Sequence, residues 1–306
     1  MWWAICEDVR TVLPCYNHCM SSMEDMEKEQ EIELGKNPGL GIVKLHEKGI
    51  TGRGVPVAII DQKLRLTHVE YKDSIARYTE VDDLSGEAVS MHGSGVCSFL
   101  CGKSCGVAPE ASLHYYATKS GRSFEDLSKA LYLIIDFNKS VDPSSRIRIV
   151  SMSIGFMDNK DEPGLSDFKK SLDTALEANV YPFVINKKYL NNDIIAGGSK
   201  DDKDDPKSYE PAIFLTPHLK EIRKGAIIVP VDYRSRADYK DDTSYVYDEK
   251  GGMSWAIPYL AGVAALALQK KPNLKFQEFN ELVSKTASEV NNQLRVINPR
   301  GIIERL

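Results

Sequence analysis

Cysteine is scarce in this sequence. Six among 306 residues are too few for a disulfide scaffold, and reduced thiols in a cytoplasmic setting are expected instead. Long hydrophobic runs are also missing. The most apolar stretch, Trp255 to Leu268, falls short of the roughly 20 residues that span a bilayer and contains Pro258, so no membrane segment is predicted. No dense run of Lys and Arg occurs, and the formal net charge is -5, which argues against a nucleic-acid partner. The opening Met1-Trp2-Trp3-Ala4-Ile5-Cys6 is interrupted at once by Glu7 and Asp8, so a secretory signal is not expected. Cys15, His18 and Cys19 form a compact group but lack a fourth ligand for a tetrahedral metal site; ordinary thiols are the plainer reading, with no metal and no cofactor.

What is present is an alternation of β-branched strands and helical patterns from residue 55 onward, the pattern of a mostly parallel sheet covered by helices on both faces. Strands are predicted at Val55 to Ile60, Leu113 to Ala117, Ile147 to Met152, Val180 to Ile185 and Ala226 to Val231. Helices are predicted at Phe124 to Asn138, Leu165 to Ala178 and Phe276 to Val290. In such an α/β sheet the site lies at the carboxyl ends of the strands. Residues 1–36 lack the pattern and are read as an N-terminal extension, partly helical, ahead of one domain over 37–306. The four aspartates between Ser199 and Ser208 read as a solvated acidic loop without EF-hand spacing.

Three segments each carry one side chain suited to nucleophilic catalysis. Val57-Ala58-Ile59-Ile60-Asp61 delivers a carboxylate at the exit of a buried strand, where it could orient an imidazole. Met91-His92-Gly93-Ser94-Gly95-Val96 opens a helix of small residues with a histidine suited to general-base work. In Gly251-Gly252-Met253-Ser254-Trp255 a serine precedes an apolar helix, whose N-terminus offers free N–H donors to a developing oxyanion. Each alone has a plainer reading: a turn Asp, a structural His, an N-cap Ser.

Taken together, in the order Asp, His, Ser, they resemble the subtilase family of serine peptidases. Leu45-His46-Glu47-Lys48-Gly49 through Thr51-Gly52-Arg53-Gly54-Val55 to Asp61, His68, Gly106-Val107-Ala108-Pro109, and Ser151-Met152-Ser153-Ile154-Gly155 extend the resemblance. It implies a three-layer subtilisin-like fold and a peptidase domain over 37–306. It further implies a triad of Asp61, His92 and Ser254, with an extended peptide or protein substrate paired along Ser153, Ile154 and Gly155.

The sequence also departs from the family pattern. Gln62 and Lys63 stand where Ser or Thr and then Gly usually follow the aspartate, Gly95 where a second histidine is usual, and Met253 where Thr usually precedes the serine. The run that carries the oxyanion asparagine is missing: an ungapped reading puts Lys188 there, and Asn186 takes the role only if the strand end is reshaped. Gly102-Lys103-Ser104-Cys105 is shorter than the calcium-binding loop of many secreted members, and Cys97, Cys101 and Cys105 share the spacing of a helical face as buried thiols. Lys187 and Lys188 could favour an acidic P1 side chain if they lined the pocket; solvated surface lysines are the plainer reading. Two functions follow: a serine endopeptidase, or a weak or silent subtilase-fold protein that binds an extended peptide or a partner peptidase.

Overall fold

The strand predicted from Val55 is β1, Pro56–Gln62, and its side chains alternate between two cores. Val57 and Ile59 pack into one hydrophobic cluster and Ala58 and Ile60 into another, as the period of two requires. Because both faces are covered, the segment reads as one apolar run. The computed structural model describes residues 25–306 except 122, 158, 159, 161, 191 and 192.

β1 is central in a five-stranded sheet of order β2-β3-β1-β4-β5. Its partners are β2 (Ile75–Glu80), β3 (Ser112–Thr118), β4 (Ile149–Gly155) and β5 (Tyr181–Ile185), and every pair is parallel. The carboxyl ends of β1, β4 and β5 therefore share one edge. A second sheet, order β11-β12-β8-β6-β7, holds β6 (Ile194–Gly198), β7 (Glu210–Pro211), β8 (Ile227–Pro230), β11 (Ser288–Glu289) and β12 (Arg295–Val296). Its core strands are parallel and its edge strands antiparallel. A hairpin of β9 (Arg234–Ala237) and β10 (Tyr245–Asp248) stands apart.

Helices α3 (Met91–Cys101) and α7 (Met253–Lys270) cover the Val57 and Ile59 face. On the opposite face lie α4 (Phe124–Lys139) and α5 (Leu165–Glu177). The three-layer α/β architecture is thus present, with several boundaries moved. β1 runs one residue beyond Asp61, so the carboxylate is held within the strand rather than after it. β4 begins and ends later than predicted, and α8 (Phe276–Thr286) stops before β11.

Residues 25–36 form helix α1, which packs on β9: Ser235 Oγ donates to the Ile32 carbonyl at 2.7 Å. A Cβ at Gly35 would stand 2.2 Å from that oxygen, so only glycine permits the approach. The Cys15, His18 and Cys19 group lies outside the described residues. A short α2 (Ile42–Glu47) follows. Of the four aspartates, Asp201, Asp202 and Asp205 are exposed as expected, while Asp204 is half-buried and accepts from Gly41 N at 2.8 Å. Cys97, Cys101 and Cys105 are buried free thiols. The buried Glu70 carboxylate accepts from Ser104 N, Ser104 Oγ, Cys105 N and Tyr245 Oη at 2.7–2.9 Å, fixing the short 102–105 loop.

Candidate active site

Asp61 is 8% exposed, and its carboxylate meets His92, the second residue of α3. His92 Nδ1 lies 2.8 Å from Asp61 Oδ1 and 2.9 Å from Oδ2, while Gln62 N donates to Oδ1 at 2.8 Å. Ser90 caps the helix by accepting from His92 N at 3.0 Å, which fixes where the first turn starts. Burial works against charge on the imidazole, and the Arg236 cation adds to that. The charge of Asp61 and its hydrogen bond outweigh both, so the His92 pKa is raised above 6.5. With Nδ1 committed to the carboxylate, Nε2 is the nitrogen left for a reacting proton.

Ser254 is the second residue of α7, behind Gly252 as N-cap, so its N–H belongs to the turn that lacks intrahelical acceptors. Four residues on, Pro258 has no N–H to give the Ser254 carbonyl. Ser153 Oγ donates to that carbonyl instead, at 2.7 Å, tying the end of β4 to the helix that carries Ser254. The next residue, Trp255, rests against His92 with ring centroids 5.3 Å apart and against Phe99 at 5.1 Å. The start of α7 and the imidazole are thereby brought side by side.

Ser153, Ile154 and Gly155 lie at the carboxyl end of β4, where Ser153 and Ile154 line a cavity of about 220 Å³ together with Asp61 and His92. β4 pairs with β1 over residues 149–151, and with β5 over the same residues and again at Gly155. Met152, Ser153 and Ile154 thus fall beyond the pairing with β1 and within the register break of the pairing with β5. An added strand can reach such backbone.

A larger cavity of about 680 Å³ opens beside Met253, Asn186 and Phe156, with a largely apolar lining that includes Ile185, Ile195 and Leu215. Asn186 Nδ2 donates to the Phe156 carbonyl at 3.3 Å, and its Oδ1 accepts from Lys188 N at 2.9 Å, starting the short helix α6 (Lys187–Leu190). β5 ends at Ile185 and Lys188 is turned away to Asp173 at 2.9 Å. Lys187 lines the cavity but faces Asp193 at 3.3 Å. Sequence reasoning missed Ser90, Trp255 and the bond from Ser153 to the helix; Pro258, four residues after the serine, was the available signal for the last.

A buried carboxylate paired with a histidine thus lies at the carboxyl edge of a parallel sheet, and the helix start that carries Ser254 packs against the imidazole through Trp255. The model of the subtilase family matches residues 52–229, and the chain belongs to that family. The match ends before Ser254. Among curated proteins the chain is similar to the subtilisin-like protease PopC of Myxococcus xanthus (strain DK1622), at 25% identity over 89% of this chain and 62% of the relative. It is also similar to the serine protease AprX of Bacillus subtilis (strain 168), at 27% identity over 76% of this chain and 61% of that protein. The chain therefore spans about three fifths of the length of these relatives. Among solved structures, the prenylagaramide maturation protease PagA superposes with a TM-score of 0.60 at 20% identity, covering 86% of this chain and 97% of PagA. A protease from Pseudoalteromonas arctica gives a TM-score of 0.60 at 16% identity, covering 88% of this chain and 94% of that one. These two likenesses concern the fold.

Proposed function

We propose that this protein is a serine endopeptidase in which Ser254 attacks a peptide carbonyl, His92 takes the Ser254 proton and Asp61 holds the imidazole in the productive tautomer. The observation that carries the reading is the Asp61–His92 bond at 2.8 Å, on a helix start that Trp255, next to Ser254, packs against. The acyl-enzyme then forms with departure of the amine, which receives the proton from His92, and water hydrolyses it by the reverse sequence. The Ser254 N–H and Asn186 Nδ2 are the proposed oxyanion donors. Substrate lies extended along Ser153, Ile154 and Gly155, and its P1 side chain enters the 680 Å³ cavity. Because Lys187 faces Asp193 and the lining is largely apolar, a bulky apolar P1 residue is expected. The buried free thiols suit a cytoplasmic setting.

Covalent labelling by a fluorophosphonate, followed by intact mass, tests this reading. One adduct in the parent that is lost in Ser254→Ala and in His92→Ala supports it, and a folded parent that takes no adduct overturns it. A second reading, a silent subtilase that binds extended peptides, draws on the bonds that hold the Asn186 amide to Phe156 and Lys188. It predicts peptide binding without turnover.

A further inference from the structure

The side chain of Gln62 closes a ring of hydrogen bonds around the Asp61–His92 pair. Its backbone N–H donates to Asp61 Oδ1 at 2.8 Å, and that oxygen also meets His92 Nδ1. The backbone N–H of His92 donates to Ser90 Oγ at 3.0 Å. Ser90 Oγ in turn donates to Gln62 Oε1, which returns the ring to the residue that began it. A further backbone bond, Ser90 N to the Lys63 carbonyl at 2.8 Å, clamps the strand exit to the helix start. Tyr115 Oη donates to the Gln62 carbonyl, and a Cβ at Gly93 would stand 2.9 Å from that same carbonyl. The helix thus approaches the strand as closely as backbone allows.

A serine hydroxyl has one proton and can accept only through its lone pairs. When the hydroxyl donates that proton in a hydrogen bond to Gln62 Oε1, the lone pairs of Ser90 are left facing the His92 N–H. Without the acceptor the hydroxyl is free to turn its proton elsewhere, and the first turn of α3, which carries the imidazole, loses its fixed end.

We infer that Gln62 is a positioning residue, fixing the imidazole of His92 against Asp61 through the Ser90 hydroxyl. The residue that departs from the family pattern after the aspartate therefore supplies support of its own kind, by a longer side chain reaching across to the helix cap. The inference rests on the reading of Asp61, His92 and Ser254 as a triad.

The test follows the rate of fluorophosphonate labelling against probe concentration and pH in the parent, Gln62→Met, Gln62→Glu, Ser90→Ala, Ser90→Thr and the Gln62→Met/Ser90→Ala double variant. Misplacing a reacting group by as little as 1 Å can cost about a hundredfold. A fall of about tenfold to a hundredfold in the maximal rate is therefore expected for Gln62→Met and Ser90→Ala, with the half-saturating probe concentration unchanged. Both the glutamate variant, which keeps the acceptor, and Ser90→Thr should recover most of the rate. Because the two residues act through one bond, the double variant should be no slower than the slower single one.

The pH midpoint should fall in Gln62→Met as the bond to Asp61 loosens, and rise in Gln62→Glu through the added charge. Parental rate and midpoint in Gln62→Met, or losses that multiply in the double variant, would overturn the inference. Should the parent take no label, the triad reading fails, and NMR titration of the His92 ring in the parent and Gln62→Met still decides the relay. An unchanged midpoint there rejects it. If Gln62→Met does not fold, the Ser90→Ala and Ser90→Thr comparison carries the same decision.

Discussion

Gly95 and Trp255 occupy one another's space: a Cβ on Gly95 would lie 2.6 Å from the indole Cη2 and 2.7 Å from Cζ3. The position where the family usually has a second histidine is thus covered by an indole arriving from α7. Its packing against His92 makes the absence of a side chain at 95 a condition of the site.

Gly95→Ala should therefore both destabilise and slow the protein. Overpacking of this kind costs roughly 1–3 kcal/mol, and the displaced indole presses on the imidazole. Thermal melting and fluorophosphonate labelling of Gly95→Ala, with and without Trp255→Leu, check this. The second change should recover part of both losses, and simple addition of the two defects would contradict the steric account.

Asp61→Asn should lower the His92 pKa and cost about 10⁴-fold in rate, as loss of the tautomer-holding carboxylate does in a working triad. The sign follows from the environment. Burial and Arg236 both lower the pKa, and Asp61 alone holds it above 6.5. In the parent the labelling rate should rise with pH through a midpoint above 6.5, since only the neutral imidazole accepts a proton. The His92–Asp61 bond correspondingly stabilises the fold below 6.5, and that contribution is lost as pH rises through the folded midpoint. NMR of the ring protons in Asp61→Asn gives the shift directly.

Asn186→Ala should slow turnover by about a hundred- to thousandfold at unchanged KM if its amide meets the oxyanion. Steady-state kinetics on a peptide with an apolar P1 residue is the measurement. A near-parental kcat would reduce Asn186 to the turn residue that its bonds to Phe156 and Lys188 also describe.

Lys203 should make stability depend on alkaline pH. Its ammonium donates to the Tyr233 carbonyl, and burial together with the Arg234 charge lowers its pKa from 10.5 to about 7. Between those values the unfolded chain holds a proton that the folded chain lacks, so stability from this group rises with pH across the window. The contribution is complete above 10.5 and lost as pH falls through about 7. Urea midpoints from about pH 6 to about pH 10 should climb more steeply for the parent than for Lys203→Met; equal slopes would assign the titration to another group.

The sequence made the central strands legible because burial on both faces leaves no polar alternation to blur them, as in β1 and β3. β9 stayed hidden for the opposite reason: its sequence is Arg234-Ser235-Arg236-Ala237, yet all four residues are buried. There the Arg236 charge is met by Asp248 at 2.7 Å, and the Arg234 guanidinium lies over the Phe99 ring. Hydropathy cannot see such solutions. β2 was missed because its residues are half-exposed. Asp61 and His92, read from motif order, are brought together in the structure, whereas Gln62 looked like a loss because its partner Ser90 is supplied by a helix cap 28 residues away.

If substrate pairs along Ser153, Ile154 and Gly155 as proposed, this backbone at the end of β4 grips the main chain of a ligand and is blind to side-chain identity. Its discrimination is therefore stereochemical. An N-methyl group placed on an amide that pairs with this segment removes a donor and adds bulk at the contact. A D-residue there turns its side chain into the shelf. Peptides altered in this way should be refused while carrying the same sequence, which marks backbone chemistry as the first gate a ligand must pass.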